Sequence, residues 1–315
     1  MKRKLSSILF PLASSLAITA CATNARDYYQ RPFSDNSPWN RTLESYGTSS
    51  GSLLAPDFGK PPHIHINSNA WSIPFYLADA TDNTRSIQLR KADGEVAIPF
   101  PLDSQPAVGT DAHLSIMSAD QSTIHEFFRF DLPNRANIYR EVDARGIGVA
   151  EQSGQNIGSR AYGGSSVGGL IRQWELESGS IDHALAIALS VRYLKPGYVY
   201  PATSEDGFSE ERYSGSIPMG SLLTIPPGLD IDTLVESRLA RLIARALQKY
   251  GAYVVDSGGD DAILFYVEPG LDPDLAMANA RELDSIIPYL RIIRRPVQGS
   301  SESGDGDVRK SGSAQ

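Results

Sequence analysis

A charged stretch between two glycines and an alternating apolar string carries residue types suited to proton transfer and anion binding. It reads "GGLIRQWELESGSIDHALAIAL", residues Gly168 to Leu189. Arg172 could pair with a carboxylate, and the imidazole of His183 titrates near neutral pH. Alternation places His183 on the apolar side of a strand, where a satisfied core histidine is the commoner explanation. We predict a short helical or turn element before it, closed by Gly179.

A carboxylate occupies the wrong face of another predicted strand. In "STIHEFFRFDL" (residues 122–132) the alternation puts Glu126 with Ile124 and Phe128 on the most apolar face. A carboxylate buried there must gain a partner or shift its pKa. Such a group in a groove could serve as a glycosidase acid or a lyase base. A structural ion pair with an arginine inside the sandwich is the alternative, and ion-pair networks also perturb carboxylates.

Metal and phosphate sites have weaker signals. His63 and His65 share one face of a strand, but a third ligand would have to come from elsewhere, such as His113 or His125. We therefore favour an exposed polar face and predict no metal site and no cofactor. The turn "DSGGDD" (256–261) lacks the EF-hand spacing, and "YGGSSVGG" (162–169) lacks the lysine of a phosphate loop. We interpret the second stretch as a loop that brings backbone close to a ligand or to another strand.

Short alternating strings separated by turn residues dominate the chain between residues 61 and 296. The predicted strands are residues 63–67, 72–78, 85–90, 112–117, 122–132, 183–191, 198–202, 221–226, 252–257 and 262–268. The last two flank a predicted tight hairpin turn. Many short strands at regular spacing indicate an antiparallel β-sandwich of jelly-roll or concanavalin-like type.

One prominent amphipathic helix interrupts the strands. Apolar residues recur at helical spacing in "DTLVESRLARLIARALQKYG" (232–251), with a basic stripe on the outer face. We predict Asp232 as its N-cap and Gly251 as its left-handed C-cap. Residues 284–293 are predicted as another short helix.

The N-terminus has the pattern of a bacterial lipoprotein signal. Lys2, Arg3 and Lys4 precede an uncharged apolar run that is too short to span a bilayer comfortably. The run ends in "ITAC", which resembles a lipobox with Cys21 as the lipidated residue. Ala22 follows, which resembles the pattern sent to the outer membrane of Gram-negative bacteria. We predict a cell-envelope protein held by a lipid anchor.

The remaining segments complete the predicted organisation. Residues 1–20 form the signal peptide, 21–60 a tether, 61–296 the β-sandwich domain and 297–315 a disordered tail. Tyr28, Tyr29, Phe33 and Trp39 are unusual in a spacer. Docking on the domain is the favoured explanation for them, and a contribution to glycan binding is the alternative.

Charge and cysteine content exclude two kinds of partner. The net charge is −8, and it becomes −11 without the three basic residues of the signal peptide, which contains no acid. Such a balance argues against nucleic acid as a partner. Cys21 is the single cysteine, so no disulfide can form within one chain.

Several motifs resemble those of a largely uncharacterised family of secreted bacterial jelly-roll proteins. They are "GGLIR..EL..G.IDHAL" (168–185), "YPA" (200–202), "IPMGSLLTI" (217–225) and "ARALQKYGAYVVDSGG" (244–259). The family has no known reaction, so the resemblance implies the fold and the secreted location more than an activity. Its motifs match Arg172, His183, Tyr250 and Asp256, and less surely Glu126.

These observations favour a carbohydrate-active envelope protein, either a polysaccharide lyase or a glycoside hydrolase, with an extracellular or envelope glycan as its partner. Glu126, His183 and Arg172 are the candidate catalytic residues. Tyr250, Asp256 and His113 are the candidate substrate-binding residues. A noncatalytic glycan-binding or structural lipoprotein is the alternative, and an adhesion or display domain is a third possibility.

Overall fold

The structure is a computed structural model that describes residues 26–46, 53–90, 94–131, 134–152, 154–259 and 261–293. The signal peptide, Cys21 and the predicted tail lie outside the described residues. The strands are β1 (Leu53–Leu54), β2 (His63–Asn67), β3 (Phe75–Leu77), β4 (Thr84–Leu89), β5 (Gly94–Pro99), β6 (Leu114–Met117), β7 (Thr123–Phe128), β8 (Arg135–Ala136), β9 (Ile138–Asp143), β10 (Leu185–Ser190), β11 (Leu194–Tyr198), β12 (Ile217–Met219), β13 (Leu222–Thr224), β14 (Ala252–Gly258), β15 (Ala262–Tyr266) and β16 (Arg291–Ile293). The α-helices are α1 (Gln173–Ser178), α2 (Ser209–Arg212), α3 (Arg238–Lys249) and α4 (Pro273–Leu283).

The strands form one large mixed sheet and smaller sheets. The large sheet has seven strands in the order β1-β16-β13-β14-β10-β15-β2, and a four-stranded sheet has the order β3-β6-β7-β9. A three-stranded sheet (β5-β4-β8) and a two-stranded sheet (β11-β12) complete them. The mainly β prediction is confirmed. Several pairs are parallel, including β10 with β14 and β15 with β2.

The four-stranded sheet is covered on both faces, which gives the molecule its sandwich layering. On one face, Met117 and Ile124 join the main core with the large sheet and helices α3 and α4. On the other face, Leu114, Ile116 and Phe127 pack with residues of the three-stranded sheet in a second cluster. Since successive side chains of a strand alternate between faces, Glu126 points into the main core as predicted.

The predicted hairpin between β14 and β15 is wrong, because another strand lies between these two. β10 pairs in parallel with β14 on one side and antiparallel with β15 on the other. Every residue of β10 is buried, which explains its unbroken string of small and aliphatic residues. A strand from another part of the chain thus replaces the local pairing that the turn residues suggested.

Helix α3 is amphipathic as predicted, but it starts later than its pattern suggested. Ser237, not Asp232, is the N-cap, and its hydroxyl accepts from the backbone N–H of Ala240. Asp232 instead pairs with Arg241 and Arg245 on the exposed basic face. Gly251 has the predicted left-handed conformation, with φ of +80°.

The predicted helix at residues 284–293 is only partly present. A 3-10 helix covers Asp284–Tyr289, and β16 follows it between β1 and β13 of the large sheet. Helix α4, which precedes this segment, was not predicted. Asp272 caps it by accepting from the N–H of Leu275, and Pro273 fills its first turn.

The described part of the predicted tether is folded against the rest of the chain. Phe33 and Trp39 are buried in the main core, so the predicted docking of these aromatics is confirmed. The backbone N–H of Phe33 donates to Ala144, and the N–H of Ala184 donates to Trp39. Residues 26–46 therefore form part of the folded body.

Candidate functional site

The Glu126 carboxylate is sealed in the interior by the glycine- and serine-rich loop of residues 158–169. It accepts hydrogen bonds from the N–H groups of Ser159 and Ser166, each at 2.9 Å, and from the Ser165 hydroxyl. The Glu126 side chain is 0% exposed. Burial raises its pKa, although the three serine residues oppose that shift.

The glycines of this loop allow two stretches of backbone to cross closely. A Cβ atom on Gly158 would lie 1.8 Å from the carbonyl oxygen of Gly164, so no larger residue fits there. The crossing places backbone donors from both stretches on the same carboxylate. The loop was predicted to bring backbone close to a ligand or to another strand. It brings backbone N–H groups to Glu126 on strand β7.

A serine of the same loop lies in a G-x-S-x-G sequence motif but does not have the geometry of a hydrolase nucleophile. Ser166 is the central serine of "GSSVG" at residues 164–168. It is buried, and its hydroxyl lies 2.9 Å from that of Ser115. Helix α1 begins only at Gln173, so the sharp strand-to-helix turn of a nucleophile elbow is missing.

Arg172 and His183 meet at a small cavity beside the N-terminal segment. The cavity holds about 50 Å³, room for a few water molecules, and both residues line it with Trp39, Trp174 and Glu175. Helix α1 positions the set, since Arg172 is its N-cap residue and Gly179 closes it at φ of +83°. Glu126 does not line this cavity, so the structure brings together two of the three candidate catalytic residues.

Both residues are committed to internal ion pairs. Nε of Arg172 lies 2.6 Å from Glu268, and its guanidinium also donates to the carbonyl of Tyr29 at 2.6 Å. Nε2 of His183 lies 3.1 Å from Glu175. His183 precedes β10 instead of lying on it, which corrects the predicted placement on a strand face.

The two hydrogen-bond partners of His183 favour its charged form. Nδ1 lies 2.8 Å from the carbonyl oxygen of Ala184, which can only accept, and Nε2 faces the Glu175 carboxylate. Burial lowers the pKa of His183, but Glu175 and the Ala184 carbonyl outweigh burial and raise it above 6.5. His183 is therefore a structural imidazolium in this arrangement.

This raised pKa predicts a loss of stability at alkaline pH. A protonated His183 stabilises the fold fully below its unfolded pKa of about 6.5, and the contribution disappears as pH rises through the higher folded pKa. We expect wild type to lose about 1–2 kcal/mol of unfolding free energy relative to His183→Gln between neutral and alkaline pH. Urea unfolding of both proteins across this range measures the difference. Parallel curves would contradict the assignment.

The other predicted substrate-binding residues lie in different places. Tyr250 is buried at the end of α3, and its hydroxyl lies 3.4 Å from Asp182. His113 is buried with its Nδ1 atom 3.5 Å from the Ser159 hydroxyl. Burial, and then the charge of Arg160, lower the pKa of His113 well below 6.5, so it is neutral.

Asp256 occupies the most chemically distinctive position of the predicted residues. It lies on β14, and Nη1 of Arg160 donates to it at 2.8 Å. The Arg160 side chain is 2% exposed, whereas that of Asp256 is 15% exposed. Burial, together with the charges of Asp206 and Asp111, raises the pKa of Asp256 to about 7 although Arg160 lowers it.

Two tyrosines complete this group, which we call the Asp256 cluster. The Arg160 guanidinium lies 3.9 Å from the centre of the Tyr266 ring, and the Tyr213 hydroxyl donates to Asp206 at 2.5 Å. Burial raises the pKa of both tyrosines, so both stay neutral. The cluster consists of Asp111, Arg160, Asp206, Tyr213, Asp256 and Tyr266.

Sequence reasoning found Asp256 and missed the rest of the cluster. One usable signal was Arg160, the sole basic residue between Arg145 and Arg172 in a stretch of glycine, serine and alanine. A cation isolated in a loop of small residues needs a buried acid. The acid is Asp256 on β14, and its position depends on the parallel pairing of β14 with β10. The alternation of apolar residues along single strands did not predict that pairing.

The part of the chain that the structure describes contains no group of three or more histidine, cysteine or acidic residues that could hold a metal ion. His63 and His65 are exposed on β2, and Ile64 and Ile66, which alternate with them, are buried, as the favoured interpretation predicted. Within the same residues, no helix has the length and apolar character needed to cross a membrane.

In comparisons with known proteins, no family model, no curated protein and no solved structure matches the chain.

Proposed function

We propose that the protein is a carbohydrate-active lipoprotein of the cell envelope, a polysaccharide lyase or glycoside hydrolase with Asp256 as its acid/base group. The observation that carries this proposal is the pairing of Asp256, whose side chain is 15% exposed, with the buried Arg160 at 2.8 Å. In this position the pKa of Asp256 is raised to about 7. A group with a pKa near the working pH is the most effective proton donor or acceptor. Strongly shifted carboxyls of this kind concentrate at functional sites.

The cluster suits either of two reactions on a sugar chain. In a lyase, a base removes the proton next to a uronate carboxylate, the C–O bond to the leaving sugar breaks, the leaving oxygen takes up a proton, and a double bond forms in the remaining sugar. In a hydrolase, an acid protonates the glycosidic oxygen while a second carboxylate assists water or attacks the sugar. The charges of Asp206 and Asp111 act on Asp256, so these two residues are the candidates for the second carboxylate.

Asp256 is favoured over Glu126 and His183 on two different grounds. Glu126 is fully buried and bonded by three serines, so a substrate atom could reach it only after the loop of residues 158–169 opened. The side chains of His183 and Asp256 are both 15% exposed, but Glu175 holds His183 in its charged form, whereas the pKa of Asp256 is raised to about 7. Catalytic roles for Glu126, Arg172 and His183 remain predictions.

A noncatalytic envelope protein is the second candidate function. It is favoured by the internal pairing of Arg172 with Glu268 and of His183 with Glu175, which leaves these groups fully used as structural links. In that case the Asp256 cluster would also be a structural network.

A polysaccharide panel distinguishes the candidates. Full-length protein in detergent is incubated with neutral and uronate-containing polysaccharides, and reducing ends and the ultraviolet absorbance of unsaturated products are followed. New reducing ends without absorbance indicate a hydrolase, and both together indicate a lyase. Binding without either product supports the noncatalytic protein and contradicts the enzyme.

The lipid anchor has an independent test. Cys21→Ala removes the thiol that would carry the lipid, so we expect the protein to move from the membrane fraction to the periplasmic fraction. Fractionation and immunoblotting measure this. Ala22→Ser keeps Cys21 and should stay in the membrane fraction, so it is the matched control for a neighbouring change. Membrane attachment that survives Cys21→Ala would refute the anchor.

A further inference from the structure

Trp71 is a large aromatic side chain held at the surface by an unfavourable backbone conformation. It is 47% exposed. Its φ of +56° lies in the left-handed region, which bulky residues rarely adopt because of steric strain. The surrounding structure must hold it there, and such strain concentrates at functional positions.

The loop of residues 108–110 fixes the orientation of the indole. The backbone N–H of Trp71 donates to the carbonyl of Val108 at 2.7 Å, and its indole Nε1 lies 3.4 Å from the Thr110 hydroxyl. A Cβ atom on Gly109 would lie 2.8 Å from Nε1 and 3.0 Å from both Cδ1 and Cε2. Near-equal distances place that point over the five-membered ring and not at its edge. Gly109 therefore covers one face of the indole, and its lack of a side chain permits this contact.

Two chain connections join this aromatic surface to the Asp256 cluster. Thr110, which contacts the indole, is followed by Asp111, whose charge acts on Asp256 and Arg160. Ser72, which follows Trp71, donates its hydroxyl to the carbonyl of Val267, next to Tyr266. The indole is thus linked to two of the segments that supply cluster residues, those of Asp111 and Tyr266.

The chemistry of this surface fits a sugar ring. A pyranose has a face of C–H groups that packs on an aromatic ring, and hydroxyl groups at its rim that hydrogen-bond to nearby polar atoms. The Trp71 indole offers the first kind of contact, and the neighbouring Thr110 hydroxyl and the polar residues of the Asp256 cluster offer the second. Val108, itself exposed, extends the apolar area next to the indole.

We infer that Trp71 is a stacking platform for a pyranose unit of a glycan chain that extends from the Asp256 cluster. The inference rests on the proposed function, because the cluster supplies the reason for a glycan to be there. It assigns Trp71 to binding and leaves proton transfer to Asp256.

The experiment measures binding and cleavage separately. Oligosaccharides of cellulose, chitin, polygalacturonate and alginate are titrated into the full-length protein in detergent by calorimetry. Iodide quenching of tryptophan fluorescence is recorded in parallel. Trp39 is buried and Trp174 is half-buried, so quenching reports mainly on Trp71. A bound sugar should protect wild type from iodide.

Three variants make the result specific. Trp71→Gly removes the ring and accepts the left-handed backbone without strain, so the fold should be retained. We expect its Kd for the bound oligosaccharide to rise at least about tenfold. Trp71→Phe should recover most of the affinity. Met277→Ala, on α4, removes another side chain that is 47% exposed and should change Kd less than about twofold.

The outcomes separate the platform from the proposed function. A wild-type Kd in Trp71→Gly, with cleavage intact, would overturn the platform and leave the enzyme. Weakened binding in Trp71→Gly together with unchanged binding and lost cleavage in Asp256→Asn supports both. If wild type neither binds nor cleaves any of the oligosaccharides, both proposals fall.

Discussion

Asp256→Asn is expected to lower kcat on the responsive polysaccharide at least about 100-fold, because an amide cannot exchange a proton as a carboxyl does. Wild type should show a pH–rate limb with an apparent pKa near 7, the value to which burial raises the pKa of Asp256. A rate that rises through this pH identifies Asp256 as the base of a lyase, and a rate that falls identifies it as the acid of a hydrolase. The limb should be absent in the variant.

Two controls separate chemistry from folding in this experiment. The change leaves Arg160 without its carboxylate partner, so circular dichroism and urea unfolding must show that the variant is folded. Asp261→Asn removes another paired aspartate, which bonds to Lys60 and Arg192 at the surface, and should keep nearly full activity. Activity in Asp256→Asn above half of wild type would refute the assignment.

Glu126→Ala is expected to destabilise the fold by about 4 kcal/mol. The substitution leaves the N–H groups of Ser159 and Ser166 buried without an acceptor, and it opens a cavity between the loop and the four-stranded sheet. Chemical unfolding at neutral pH measures the loss. The effect is one of stability, so it should appear in the absence of any glycan.

Two companion variants test the cause of that loss. Glu126→Gln keeps the volume but presents an amide NH₂ where one carboxylate oxygen accepts, so we expect a smaller loss of about 1–2 kcal/mol. Glu177→Ala, at an exposed position of α1, should change stability by less than about 0.5 kcal/mol. A Glu126→Ala protein as stable as wild type would mean that the serine loop does not depend on this carboxylate.

The positions of several strands and of the buried carboxylate could be predicted from the sequence, because both depend on the local alternation of apolar and polar residues. His63 to Asn67 is found as predicted, and Glu126 lies on the face that the alternation assigned to it. The position of β10 between β14 and β15 could not be predicted, since it depends on contacts between segments far apart in the chain. The glycines near Asp260 suggested a local hairpin between β14 and β15. Both strands pair with the buried strand β10 instead.

The site shows the same division. A misplaced charge marked Glu126, but alternation says nothing about which loop would satisfy it. Arg160 and Asp256 are separated by 96 positions in the chain. They meet because the loop that carries Arg160 lies against β14 of the large sheet, which carries Asp256. His183 was assigned to a strand that begins two residues later, and its pairing with Glu175 depends on the short helix before it.

The folding of residues 26–46 onto the core sets how far the protein can reach from a membrane. If Cys21 carries the lipid, five residue steps separate it from Arg26, which spans at most about 17 Å of extended chain. The folded body would then stay next to the bilayer surface and could not swing out on a long spacer. A glycan could meet the Asp256 cluster only where the polymer itself approaches the membrane, so the anchor would select for material close to the envelope.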